Sequence, residues 1–175
     1  MSTETSHTTA DTADVARSYL EAVGRRERDA QMRFYAPDAE VQIHGAIGPA
    51  GMEEMRGFFG QLFDAFPDFK LEVLDIASTG DKAAVRWRAT GTFNGSASFM
   101  GLNPTGRAIE MEGMDMVWVR DGKVARIEAY MDGMTLGRQL GALPPKDSPA
   151  DKAMLAALNG VTKAKEAIRA ARERA

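Results

Sequence analysis

The stretch "RAIEMEGMDMVWVRDGKVARIEAYMDGMTLGRQLG", residues 107–141, decides the architecture. "RAIEMEGMDMVWV" alternates and reads as a long strand, "RDG" as a hairpin turn and "KVARIEAYMD" as the return strand. "GMTLGRQLG" then gives a helical turn or two. Two registers of the hairpin are open. If Asp121-Gly122 is a two-residue turn, Arg120 pairs with Lys123. Met111 then faces Asp132 and Asp115 faces Glu128. Met114, Met116, Trp118, Ala125, Ile127 and Ala129 form a wholly apolar opposite face. If Gly122 closes a three-residue loop with a bulge, Val119 pairs with Lys123, Glu112 neighbours Tyr130 and Glu110 neighbours Asp132.

Outward from the hairpin, the other segments supply partners for it. Residues 1–10 read as a disordered leader. A helix follows, with Val15, Tyr19, Leu20 and Val23 at helical spacing, Asp11 or Thr12 as cap and Gly24 as its end. "RDAQMRFY" reads as a second, short helix and "AEVQIHG" as a strand, with Val41 and Ile43 on one side and His44 on the other. "GPAGMEEMRGFFGQLFDAF" reads as a helix with Pro49 in its first turn and a wide apolar stripe. "FKLEVLDIAST" and "KAAVRWRATGTFNG" are strands around a "GD" turn, and "SASFMGLNPTG" is a loop. After "ALPPKDSP" the chain becomes Ala-rich and charged, a helix that Asp147 or Ser148 can cap. It can dock on the domain, meet a partner subunit or project into solvent. The chain divides into a domain over residues 11–143 and a linker with C-terminal helix over 144–175. The element order gives an α+β cone: a curved, mostly antiparallel sheet covered by the early helices, with a pocket at its mouth.

Composition narrows the function. The 175 residues fit one domain, and 44% hydrophobic with 27% charged residues gives a sizeable core. The net charge of −3 offers no basic surface for nucleic acid. With no cysteine there is no disulfide framework, thiolate nucleophile or cysteine metal site. The two histidines, His7 in the leader and His44, form no metal-ligand cluster. Neither G-x-G-x-x-G, a P-loop nor G-x-S-x-G occurs. The N-terminus has no apolar h-region and no segment is long enough to span a bilayer, so the chain reads as soluble and cytoplasmic, without a membrane partner.

The segments "FYAPDAEVQIHG", "FPDFKLEV", "VRWRATGTFNG", "FMGLNPTGRAIEMEGMD", "VRDGKV" and "YMDGMTLGRQLG" together resemble the SnoaL-like polyketide cyclases of the nuclear-transport-factor-two-like superfamily. The resemblance spans about residues 11–143, and the pairing of "GLNPTGR" with "D…RQLG" is its most specific part. It implies an α+β barrel, a homodimer, a deep apolar pocket, no cofactor and a small apolar polyketide-like substrate. It also implies that Asp132, just before the last barrel helix, is the general base or acid of ring closure. Many relatives carry a His where this chain has Phe93, and a His-Trp pair where it has Ile127 and Glu128.

Read from chemistry alone, Asp132 is a helix cap or a partly dehydrated proton carrier with a raised pKa, and the two roles are compatible. Tyr130, two residues earlier on the same strand face, can hold a substrate oxygen or sit at the boundary. His44 is a second proton carrier or a structurally satisfied side chain. Trp87 lies on the side of its strand opposite Arg86 and Arg88. Glu112 and Asp115 reach a pocket wall in one register or the other. Met100 and Met134 adjoin the loop and the last barrel helix, where flexible thioethers can line the mouth.

Overall fold

The computed structural model describes residues 9–173. The expected leader, with His7, lies mostly outside them; Thr9 and Ala10 already belong to helix α1 (Thr9–Gly24). The helix starts earlier than a cap at Asp11 or Thr12 allows. Thr12 is instead buried in it and donates its hydroxyl to the Gly80 carbonyl at 2.9 Å, tying α1 to a sheet turn.

A short helix α2 (Arg28–Met32) leads into strand β1 (Tyr35–Ile43), and β2 (Ile47–Ala50) folds back on it. Pro49 therefore lies in β2 and not in a helical turn, on an edge strand where its missing N–H costs no ladder bond. Helix α3 (Met52–Ala65) follows and buries Met55, Phe59, Leu62 and Phe63 along one stripe. The strands β3 (Lys70–Thr79), β4 (Lys82–Thr92), β5 (Ala108–Arg120) and β6 (Lys123–Met131) form a meander, closed by α4 (Gly133–Leu140) and followed by α5 (Pro149–Arg172).

The six strands make one curved, unclosed sheet in the order β2-β1-β6-β5-β4-β3. Every neighbouring pair is antiparallel except β1 and β6. The inner face packs against α1 and α3, with the core running from Tyr19 and Leu20 through Phe59, Phe63 and Phe66 to Val85, Val117 and Ile127. This is the expected α+β cone. Burying such a set of large apolar side chains, at ~1.5–3 kcal/mol each, is the main force that holds helices to sheet.

The hairpin settles in neither open register. Asp121 and Gly122 both have positive φ (52° and 69°), a two-residue turn that pairs Arg120 with Lys123. Beyond Val119↔Val124 the register shifts, and Trp118 pairs with Arg126. Ala125 is thus an extra residue in β6, a bulge. Because side chains alternate with period two, one extra residue exchanges the faces of one strand relative to the other. Asp115 pairs with Ala129 on the inner face, and Met114 pairs with Tyr130 on the outer. The expected apolar face of Met114, Met116 and Trp118 with Ile127 and Ala129 does not exist; Ile127 and Ala129 face inward with Asp115 and Val117.

Candidate functional site

The cone holds an apolar cavity of about 100 Å³ that opens to the surface. Aromatic and aliphatic side chains from α1, α3, α4, every strand but β2 and the loop between β4 and β5 line it, among them Leu20, Phe58, Phe59, Phe99, Met111 and Leu136. Three side chains bring polar atoms to it: Tyr19, Trp87 and Asp115. Asp115 is the single carboxylate among the lining residues.

Each is placed by its element. Asp115 follows Ile109, Met111 and Gly113 on the inner row of β5. Trp87 is the inward residue between Arg86 and Arg88 on β4, opposite Gly113. A Cβ at residue 113 would lie 2.3 Å from Trp87 Cζ2, so only glycine lets the indole cross β5 here. The ring then reaches the acid, and Trp87 Nε1 donates to Asp115 Oδ1 at 2.8 Å. From α1, Tyr19 meets Tyr35 of β1, their hydroxyls 2.5 Å apart and both buried.

Loss of hydration raises the Asp115 carboxyl from its ordinary 3.8 to about 7, and the Trp87 N–H pulls only weakly the other way. Among the described residues no cation is paired with it. Burial also pushes both phenols up, so Tyr19 and Tyr35 remain neutral hydrogen-bonding groups. The cavity therefore holds an acid that exchanges its proton near neutrality, beside a phenol that does not.

Of the side chains anticipated for the site, Asp115 and Trp87 line the cavity, while Asp132 does not. Asp132 is exposed at the N-terminus of α4. Its Oδ1 accepts from the Met134 and Thr135 amides, both at 3.0 Å, and its Oδ2 from the Thr135 hydroxyl at 2.6 Å. These bonds favour the ionised form and lower its pKa, which corrects the expectation of a dehydrated, raised carboxyl. Tyr130, 43% exposed, lies on the outer face, where it donates to Glu128 at 2.8 Å and stacks on His44 with ring centres 4.2 Å apart. His44 Nε2 stands 3.7 Å from the same carboxylate. Glu112 is also outside, between Arg86 (3.2 Å) and Arg88 (3.3 Å), which hold its pKa low. Met100 and Met134 are 49% and 61% exposed and do not line the cavity; Phe99, Met131 and Leu136 beside them do.

The site residues not anticipated are Tyr19 and Tyr35. Tyr19 counted only as one member of an apolar stripe, yet a tyrosine there carries a hydroxyl that must find a partner once buried. For Asp115 the signal lay in β5 itself: Ile109 and Met111 alternate with Glu110 and Glu112, and the same count puts Asp115 inside. Among the described residues no group of acidic or histidine side chains is arranged to hold a metal, and no described helix is long and apolar enough to cross a membrane.

An unclosed cone of six strands, with helices across one face and a single acid in an apolar hollow, places the protein among the nuclear-transport-factor-two-like folds. Within that class, the model of the SnoaL-like polyketide cyclases matches residues 13–140, and the chain belongs to that family. Among solved structures it is similar to AclR, a candidate hydroxylase from Streptomyces galilaeus, at 26% identity and a TM-score of 0.70 over 93% of this chain and 98% of that one. Wild-type IdmH from Streptomyces antibioticus, a candidate polyketide cyclase, is 33% identical with a TM-score of 0.64 over 74% of this chain and 98% of its own. A SnoaL-like protein from Jannaschia sp., 20% identical with a TM-score of 0.70 over 82% and 100%, shares the fold. No functionally curated protein matches the chain.

Proposed function

We propose that the protein is a cyclase or isomerase-type enzyme that closes a ring on a small, apolar, polyketide-like carbonyl compound, with Asp115 carrying the proton. What supports this reading is the buried carboxyl of Asp115 in an apolar cavity, where loss of hydration pushes its pKa up to about 7. Ionised, it takes a proton from carbon beside a carbonyl; protonated, it returns one to the oxygen that becomes an alkoxide. An acid with a pKa near the working pH populates both forms, so one group serves both steps. Trp87 fixes the carboxyl by holding one oxygen. Tyr19, neutral and at the wall, is a partner for a substrate oxygen. The apolar lining folds the substrate and holds its reacting ends together, which can be worth ~7–11 kcal/mol. The protein chain itself supplies these groups. The homodimer is part of the same proposal.

A small apolar ketone with acidic α-hydrogens, 2-tetralone, tests the chemistry without knowledge of the natural substrate. In D₂O the wild type is expected to speed α-deuteration, followed by NMR, with a rate that rises through pH 7 as Asp115 ionises. Asp115→Asn is expected to abolish the rate while the ketone still quenches Trp87 fluorescence. Binding by both proteins without exchange by either selects a non-catalytic ligand-binding protein instead.

A further inference from the structure

Polar groups are few in the cavity, and they stand together. Among the described residues that line it, Tyr19, Trp87 and Asp115 alone carry side-chain nitrogen or oxygen. The Trp87 N–H is taken by Asp115 Oδ1. The Tyr19 and Tyr35 hydroxyls are 2.5 Å apart, and one of their two protons lies between them. A ligand is left one phenol proton and one carboxyl. The strand backbone of the wall is already paired in the ladders of β5 with β4 and β6.

The other end is aromatic. β5 brings Ile109, Met111 and Asp115 to the cavity along one row, and the six residues from Ile109 to Asp115 span about 20 Å of strand. Ile109 adjoins the connection 93–107, which carries Phe99 into the wall. The Phe93 amide donates to the Arg107 carbonyl at 2.8 Å and closes the base of this connection. Within it Phe99 and Leu102 exchange both backbone hydrogen bonds at 2.9 Å, around Met100 and Gly101 with positive φ (49° and 79°). The Phe99 backbone is thereby satisfied, and its buried ring is what meets the cavity. That ring lies 6.0 Å from Phe58 and 5.4 Å from Phe66, centre to centre. Such a box suits a flat apolar group, whose faces and edges pack against the rings.

We propose that the cavity takes an oxygen-poor ketone. Its carbonyl lies at Tyr19 and Asp115, its other end is an aryl or polyene hydrocarbon against Phe58 and Phe99, and Phe99 sets how far that end can reach. The place of the carbonyl rests on the functional reading. A poly-β-ketone chain, with a carbonyl on every second carbon, does not match these groups. Each further buried oxygen without a partner weakens binding roughly tenfold or more.

Binding, followed by quenching of Trp87 fluorescence, tests this apart from turnover. The wild type is expected to bind 6-methyl-2-tetralone at least as tightly as 2-tetralone, and 6-hydroxy-2-tetralone about tenfold or more weakly than the methyl compound. Equal affinity for the methyl and hydroxyl compounds overturns the oxygen-poor assignment. The longer 6-phenyl-2-tetralone is expected to be excluded by the wild type and admitted by Phe99→Ala, with 2-tetralone bound by both. Phe99 is a core residue, so Phe99→Leu, which keeps an apolar side chain, decides the matter if the alanine variant does not fold. It is expected to shift preference towards the phenyl compound, and Met100→Ala, at the exposed neighbour, to leave preference as in the wild type. A preference unchanged by Phe99→Leu removes Phe99 as the determinant. Absence of α-deuteration with these preferences intact removes the proton-transfer reading and leaves the binding assignment standing; deuteration without the preferences does the reverse.

Discussion

For a carboxyl to titrate near neutrality it must be dry and must lack a neighbouring cation. Asp115 meets both conditions, whereas Asp132 is exposed and its oxygens accept from the Met134 and Thr135 amides and the Thr135 hydroxyl, which favour its ionised form. Burial thus gives Asp115 a pH-dependent share in the stability of the protein. The folded-state pKa of Asp115 lies above its ordinary 3.8, so the native state holds a proton that the unfolded chain releases. The stabilising contribution is complete below about pH 4 and is lost as pH rises through about 7. That span, at ~1.4 kcal/mol per pH unit, is roughly 4 kcal/mol. Asp115→Asn, which cannot ionise, is expected to gain stability on the wild type between pH 4 and 7, by up to that amount, in urea denaturation across pH; parallel curves refute the buried-acid assignment. Asp132→Ala is expected to lower Tm by a few degrees through loss of a cap, with ketone exchange retained. Loss of exchange with unchanged ketone binding in that variant would return the proton transfer to Asp132.

Among the elements, β5 and β6 matter most. Asp121 and Gly122 begin the hairpin as their sequence requires, but the bulge at Ala125 then sets Ala129, not Glu128, opposite the inward Asp115. No residue in "KVARI" announces the bulge. An alanine is compatible with either register, and on the other side of β5 the ladder to β4 runs on without a shift, the Val119 amide donating to the Asp81 carbonyl at 2.8 Å. Deleting Ala125 removes the extra residue and leaves Trp118 opposite Arg126 and Asp115 opposite Ala129. Such a chain is expected to keep cooperative thermal unfolding by circular dichroism, because inner and outer sets then alternate without interruption; loss of cooperativity would show that the bulge itself is needed. Gly113 is the other control point. Gly113→Ala places a methyl group where the indole of Trp87 lies, at an expected cost of roughly 2–3 kcal/mol by denaturant titration. A stability equal to wild type would mean that Trp87 does not cross β5 there.

Over the whole molecule, alternation, turn dipeptides and apolar stripes established the cone from the chain alone, because each is a local property with its own period. The strands β3 to β6, the helices α1, α3 and α4 and the helical tail were all legible. So were the inward Trp87 and the outward Arg86 and Arg88, since one apolar residue between two charged ones leaves a strand little choice. Tertiary structure alone decided the site. Six of the anticipated residues lie on the outer face or at exposed ends, while Tyr19 and Tyr35 come in from a helix and a strand near the start of the chain, far in sequence from Asp115. Which carboxylate is dry depends on a one-residue bulge and on the helices that cover one face, and dehydration is a property of the surroundings, carried by no residue's own identity.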